Sequence, residues 1–298
     1  MTTLRLGTRA SRLALAQSHA VADLLRQAHP GLEVVIVEVV TQGDRDQATP
    51  LNQPQQGTGW FTSALQDALL RGEADIAVHS YKDLPTARPG GLVIAAVPLR
   101  EDPRDALVSR SGRALADLPS GAVIGTSSPR REAQVLAIRP DVLVRPIRGN
   151  VETRLAKVES GDYDATVLAL AGLRRLGLAG RASEVFGLYD VLPAPAQGAL
   201  AIECRAADHA TRGLLAAIDD PALRRTVTAE RSFLARLEAG CSFPSGAYAE
   251  EFGSTLKLHA LVAPGGRVVR SKMAGPAETA AGLGRQLAEE LMALSGMG

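Results

Sequence analysis

The alternation of apolar and polar positions divides the chain into short buried strands and longer amphipathic helices, in an order that states one theme twice. Leu4-Arg-Leu-Gly7 reads as a strand that breaks at Gly7-Thr8-Arg9-Ala10-Ser11. Apolar residues at helical spacing then run from Leu13 through Leu25 to a stop at Pro30-Gly31, with Ser11 placed to cap the helix. Arg9 would stand where exposed backbone N–H groups already favour an anion; a plain strand-to-helix turn with a solvated arginine is the other reading. Residues 34–40 are predicted as a buried strand, and 41–58, rich in Gln, Asp, Pro and Gly, as a long polar loop or lid. A helix over 61–70 leads into Ala74-Asp-Ile-Ala-Val-His-Ser-Tyr-Lys-Asp-Leu-Pro85, where an apolar strand runs out into adjacent opposite charges. In an open α/β sheet ligands bind outside the carboxyl ends of strands, so Lys82 and Asp83 would project into a crevice. A carboxylate beside a cation can oppose positive charge developing on a substrate; a surface ion pair closing a turn is the alternative.

After a strand over 92–97, residues 98–104 read as a crossing into a second unit, and there the opening pattern returns. A strand over 122–125 ends in Gly125-Thr126-Ser127-Ser128-Pro129-Arg130-Arg131, with Ser128 at the N-cap and Pro129 at the first helical position. Side by side, Arg130 and Arg131 offer planar donor forks suited to carboxylate or phosphate. A strand over 142–147 ends at Arg148-Gly149-Asn150, and Asn150 caps a helix that carries Arg154. A strand over 165–170 leads to Arg174 and Arg175. Three strand ends that each deliver arginine favour a convergent anion site over a solvated face. Residues 190–198 form a second crossing, and a strand over 199–204 rejoins the first unit, which describes a hinged pair of lobes with ligand between them. Asp220-Pro221 starts a helix that stops at Ala239-Gly240, just before Cys241. Strands over 247–251, 255–262 and 267–273 and a helix over 278–294 complete a small α+β domain. The expected domains are therefore 1–98 with 199–217, then 104–192, then 220–298.

Composition narrows the chemistry. At 298 residues and 46% hydrophobic content the chain can fill two or three cores. A net charge of +1 argues against a general nucleic-acid or membrane binder and leaves room for a local cationic cleft. Of the 33 basic residues only Lys82, Lys157, Lys257 and Lys272 are lysines, so arginine coincidences arise more easily here. Met1-Thr-Thr-Leu-Arg-Leu has no export-signal pattern and no apolar run reaches membrane-spanning length, so the cytoplasm is expected. Cys204 and Cys241 make no disulfide framework, and with the scattered histidines they make no metal site. Cys241 follows a helix C-terminus, whose dipole works against a low-pKa thiolate and so against a turnover nucleophile. A one-time covalent tether and a half-buried structural thiol remain.

Taken together, these residues resemble the porphobilinogen deaminase family over nearly the whole chain. The resemblance rests on Gly7-Thr-Arg-Ala-Ser-Arg-Leu-Ala-Leu-Ala-Gln17, His79-Ser-Tyr-Lys-Asp-Leu-Pro85, Gly125-Thr-Ser-Ser-Pro-Arg-Arg131, Arg148-Gly-Asn-Val-Glu-Thr-Arg154, Gln197-Gly-Ala-Leu-Ala-Ile-Glu-Cys-Arg205 and Glu230-Arg-Ser-Phe-Leu-Ala-Arg-Leu-Glu-Ala-Gly-Cys241. It implies an α/β fold of two periplasmic-binding-protein-like lobes with mixed sheets plus a small α+β C-terminal domain. It also implies a transferase that joins four porphobilinogens head to tail into hydroxymethylbilane, releasing ammonia, in tetrapyrrole (haem) biosynthesis. The implied cofactor is a dipyrromethane held by Cys241 through a thioether. Asp83 would be the catalytic carboxylate, with Lys82 assisting it and holding cofactor carboxylates. Arg9, Arg130, Arg131, Arg148, Arg154 and Arg175 would hold the acetate and propionate groups of cofactor and growing chain, with Ser11, Thr126, Ser127, Ser128, Gly149 and Gln197 in support. The family further suggests a monomer.

Several positions depart from the family's usual pattern. Thr58 and Ser63 stand where lysines are common, Tyr81 replaces a methionine, Pro129 a leucine, and Ala196 and Ala239 glycines. Alanine for glycine matters only where the backbone needs positive φ. A non-catalytic two-lobed protein binding a polycarboxylate or oxyanion would share the lobes, crossings and arginines. It would not account for Asp83 beside Lys82 together with Cys241 on a third domain.

Overall fold

A computed structural model of the chain describes residues 3–39, 63–237 and 243–297. It divides into two compact units, Met1–Arg100 with Ala199–Arg224, and Glu101–Gly198 with Arg225–Gly298. The first contains β1 (Thr3–Thr8), α1 (Arg12–Ala28), β2 (Glu33–Glu38), α2 (Ser63–Leu70), β3 (Ile76–Ser80) and β4 (Leu92–Ala96), and later β10 (Leu200–Arg205) and α6 (His209–Ala216). Its five-stranded sheet has the order β2-β1-β3-β10-β4. β1 runs parallel to β2 and β3, whereas β10 lies antiparallel between β3 and β4, so the sheet is mixed. Ile76, Ala77, Val78 and His79 are all buried, as a central strand covered on both faces requires. Leu4, Leu6, Val21, Leu25, Ile76 and Val78 fill the core on the α1 face. Cys204 belongs to that core, and burial pushes its thiol up to about 11, a structural cysteine and not a reactive one.

The second unit repeats the plan. Its sheet is built from β5 (Asp105–Ser109), β6 (Val123–Gly125), β7 (Leu143–Arg145), β8 (Ala165–Ala169) and β9 (Glu184–Val185) in the order β7-β6-β8-β5-β9. Here β6 is parallel to β7 and β8, and β5 is antiparallel to β8 and β9. β6 therefore occupies in this sheet the place of β1 in the other, which gives the sequence echo between Gly7 and Gly125 a topological basis. The helices are α3 (Pro129–Ile138), α4 (Val151–Glu159) and α5 (Leu170–Arg175).

The same unit also holds α7 (Pro221–Arg236, which begins just before the unit boundary), the antiparallel strands β11 (Ser245–Phe252), β12 (Thr255–Val262) and β13 (Val269–Pro276), and α8 (Ala280–Ser295). Alternate strand residues Ala247, Ala249, Leu256, Leu258 and Ala260 meet Phe233 of α7 and Leu287 of α8 in one core.

Among the described strands and α-helices, four have no counterpart in the expected list: β5, β9, α5 and α6. β5 follows the charged crossing segment and itself begins with Asp105, so its apolar run is short in the sequence although all five residues are buried. The strand expected over 142–147 is only β7, because Pro146 has no N–H with which to extend the ladder. Among the described residues no helix is long and apolar enough to cross a membrane, and no group of His, Cys, Asp and Glu could hold a metal ion.

Candidate functional site

Parallel pairing aligns strand ends. Gly7 of β1 lies beside Ala77 of β3, so the turns after both strands share one edge of the first sheet. Arg9 and Ser11 follow β1, and the Ser11 hydroxyl accepts from Ala14 N at 3.3 Å to cap α1. After β3 the chain makes a single 3-10 turn, Tyr81–Asp83. Leu84, 2% exposed, anchors its far side. Tyr81 N donates to Ala199 O (3.0 Å), and Gln17 of α1 donates to the Ser80 hydroxyl (2.7 Å). The turn is thus held from both neighbouring elements. Asp83 is exposed and Lys82 half-buried. Successive side chains on a 3-10 turn leave its axis about 120° apart, so the turn presents the two charges in different directions.

The second sheet gathers three strand ends in the same way, since β7, β6 and β8 are adjacent and parallel. The Ser127 hydroxyl donates to Ile147 O (2.8 Å) and accepts from Ile147 N (3.1 Å), stapling the end of β6 to the end of β7. Thr126 accepts from Ser128 N (3.1 Å). Ser128 occupies the N-cap of α3 without a side-chain capping bond, and Pro129 opens the helix. The Thr126 and Ser127 hydroxyls shape the turn from within.

Arg130 and Arg131 are 4% and 6% exposed, and both meet Asp105, which is fully buried. Arg130 Nη1 lies 2.7 Å from Asp105 Oδ2, and Arg131 Nη2 lies 2.7 Å from Oδ1. Arg130 Nη1 also donates to Leu192 O (2.6 Å), and Arg131 Nη1 to Val167 O (3.0 Å). Gln197 Nε2 donates to the same Asp105 Oδ1 (2.9 Å) and to Pro103 O (2.7 Å). Burial alone would raise the Asp105 pKa; the two guanidiniums outweigh it and hold the carboxyl far below the usual range. Burial likewise lowers Arg130, against the pull of Asp105. Two buried cations share one anion, so the set carries a surplus positive charge.

Beyond β7, Gly149 adopts φ +109°, and a Cβ there would lie 2.6 Å from Thr153 Cβ. Only glycine lets the chain turn this tightly into α4. Asn150 Oδ1 then caps the helix from Thr153 N (2.8 Å), and Arg154 Nε reaches back to Gly149 O (2.9 Å). Beyond β8, Arg174 pairs with Glu101 (2.9 Å) and Asp102 (3.2 Å). Arg175 instead donates to Gly198 O (2.6 Å); burial lowers its pKa to about 10, against the nearby Glu101, and it stays charged at neutral pH.

Sequence reasoning missed Asp105 and Glu230, both fully buried. Asp105 had a legible signal, a carboxylate at the head of an otherwise apolar run, three residues after Asp102, which is taken by Arg104 at 2.6 Å. Ala196 has φ +62°, so this is a position where alanine in place of glycine costs backbone strain. Cys241, Thr58 and Ala239 lie outside the described residues. The donor set suits a group that bears several carboxylates: a buried guanidinium set with surplus charge, a glycine turn and arginines on neighbouring strand ends.

Comparison with known proteins agrees with this chemistry. Residues 4–213 match the family model described as "Porphobilinogen deaminase, dipyromethane cofactor binding domain", and residues 224–293 match "Porphobilinogen deaminase, C-terminal domain". A porphobilinogen deaminase from Acidothermus cellulolyticus is 50% identical over 98% of this chain and 89% of its own length. One from Roseiflexus castenholzii is 48% identical over 99% of this chain and 97% of its own. Among solved structures, a periplasmic binding protein of Salmonella typhimurium aligns at TM-score 0.41 and 14% identity, covering 73% of this chain and 92% of that one. The aliphatic sulphonate binding protein of Escherichia coli aligns at TM-score 0.40 and 15% identity, covering 80% and 71%. These structural likenesses are too weak to add to the fold described above. The two family models span both units and the relatives are matched almost end to end: this chain belongs to the porphobilinogen deaminase family.

Proposed function

We propose that Asp83 is the catalytic carboxylate of this enzyme, that Lys82 assists it, and that Cys241 carries the cofactor through a thioether. The chain is a transferase of tetrapyrrole biosynthesis that couples porphobilinogen head to tail into hydroxymethylbilane with loss of ammonia. Its cofactor is a dipyrromethane, which when bound supplies the pyrrole end from which the chain grows.

Loss of ammonia from the aminomethyl group of porphobilinogen leaves positive charge on the substrate's pyrrole. A carboxylate on a short turn, fixed by Leu84, Tyr81 N and Ser80, opposes that charge without having to reorganise. The same carboxylate can take and return the pyrrole N–H proton during coupling. Arg9, Arg148, Arg154 and Arg175, with Ser11, hold acetate and propionate groups; Thr126, Ser127, Ser128 and Gly149 shape the turns that present them. Arg130 and Arg131, oriented by Asp105 and Gln197, supply the surplus charge that anionic side chains would neutralise. That buried, charge-unbalanced arginine pair is the observation that carries the reading, because a merely structural ion pair would be closed with one arginine.

The cytoplasm and a monomeric state complete the proposal, the latter checked by light scattering. The deciding experiment is the intact mass of the purified protein. A covalent excess of two coupled pyrrole units, absent from Cys241→Ser, is expected. A mass that equals the bare chain, and stays so after incubation with porphobilinogen, would overturn the reading.

A further inference from the structure

Glu230, on α7, is fully buried and faces two backbone donors. Its Oε2 accepts from Ala196 N at 2.6 Å and its Oε1 from Ala249 N at 2.9 Å. The first bond falls on the residue that the backbone strains most visibly, since Ala196 sits at φ +62°, where an L side chain is disfavoured. A charge-assisted hydrogen bond is among the stronger means of holding such a bend. The next residue is Gln197, whose N–H closes the turn onto Ala194 O (2.9 Å) and whose amide reaches Asp105 Oδ1 (2.9 Å) and Pro103 O (2.7 Å). The same segment gives Leu192 O to Arg130 (2.6 Å) and Pro193 O to Ala247 N (3.0 Å). The 192–198 segment therefore stands between α7 and the arginine pair, and Glu230 grips it at its strained point.

We propose that Glu230 is a positioning residue for the anion site: its carboxylate holds the left-handed bend at Ala196 and thereby sets Gln197 against Asp105, which orients Arg130 and Arg131. The inference rests on the function proposed above for what the arginines bind, but not for the mechanical link itself. Glu230→Gln keeps the shape while leaving one oxygen to serve two N–H donors, with an NH2 group opposed to one of them. Ala196→Gly removes the strain, so the bend no longer depends on the carboxylate.

The test is a double-mutant cycle on the holoenzyme, Glu230→Gln, Ala196→Gly and both together, read by kcat/KM for porphobilinogen and by amide hydrogen exchange over 194–198. Glu230→Gln should speed exchange at Ala196 and Gln197 and lower kcat/KM about tenfold. Ala196→Gly alone should leave kcat/KM within about twofold, and in the double variant it should restore most of the loss. Because Glu230 also holds Ala249, a fall in thermal midpoint alone decides nothing; the rescue does. If Glu230→Gln fails to fold, Ala196→Val attacks the same bend with Glu230 in place, and it should show the same faster exchange and the same loss. Unchanged exchange at 194–198, or an equal loss of kcat/KM with alanine and glycine at 196, would overturn the inference. A wild-type protein that makes no hydroxymethylbilane would overturn the function instead, and the exchange measurement would still decide the role of Glu230.

Discussion

The edge of the first sheet and the edge of the second use charge in opposite ways. On the first, Asp83 is exposed on a turn whose backbone is pinned but whose carboxylate has no partner among the described residues. On the second, Arg130, Arg131, Asp105 and Gln197 are buried and joined to one another. Under the proposed roles, the group that exchanges protons with a changing substrate is left accessible, whereas the groups that only supply field are locked and desolvated, where each charge acts more strongly. The difference teaches that rigidity at the first edge resides in the backbone, and at the second in the side chains.

The sharpest way to break this comparison is Asp83→Asn. Turnover should fall roughly 10²–10⁴-fold with the cofactor still attached, as product formation and intact mass would report, and the thermal midpoint should barely move. A large loss of stability would mean that Asp83 is structural after all.

Asp105→Asn should do the reverse. It leaves two buried guanidiniums with no anion between them, which costs about 3–5 kcal/mol, measured by urea denaturation. Retention of wild-type stability would show that the buried pair is not held by that carboxylate.

Asp75 extends the contrast to the base of the first sheet. Its carboxylate receives Arg5 N (2.9 Å), Arg5 Nη2 (2.8 Å) and Arg205 Nη2 (3.0 Å). Burial would raise its pKa, but these arginine bonds prevail and lower it to about 2. A depressed carboxyl stabilises the fold above its unfolded pKa and loses that stabilisation as pH falls through the folded value. Thermal midpoints of the wild type should therefore drop between about pH 4 and pH 2, and Asp75→Asn should flatten that part of the profile. An identical profile in the variant would remove Asp75 from the acid response.

The smallest effects compare the two helix caps. Asn150→Ala should cost about 1 kcal/mol, and Ser11→Ala somewhat less, since Asn150 receives Thr153 N at 2.8 Å and Ser11 receives Ala14 N at 3.3 Å. Equal losses in thermal or urea melts would show that cap distance does not set the cost here.

Much of the fold was legible in the chain. Gly7 and Gly125 both lie at the end of a strand, or one residue short of it, before a helix with serine at its N-cap position, and the structure gives β1 and β6 the same place in their sheets. Local rules suffice for this, because capping and strand breaking depend on neighbours only a few residues apart. β5 escaped because its signal is long-range: Asp105 interrupts the apolar pattern, and only Arg130, Arg131 and Gln197 explain why a carboxylate heads a buried strand. The site residues divide along the same line. Lys82 and Asp83 were visible as adjacent charges at a strand end, but that they sit on a 3-10 turn, with Asp83 exposed and Lys82 half-buried, required the structure.

By itself the sequence determined the α/β order of elements, the strand-end positions of the arginines and the residues that carry the family resemblance. Periodicity, caps and side-chain type are properties of the chain as written. Tertiary structure alone decided that Arg130 and Arg131 turn inward onto one carboxylate, that Gln197 joins them, and that Ala196 accepts a left-handed bend under Glu230. Each of those outcomes follows from what a buried charge or a strained residue finds opposite it, and the partner comes from a segment distant in sequence.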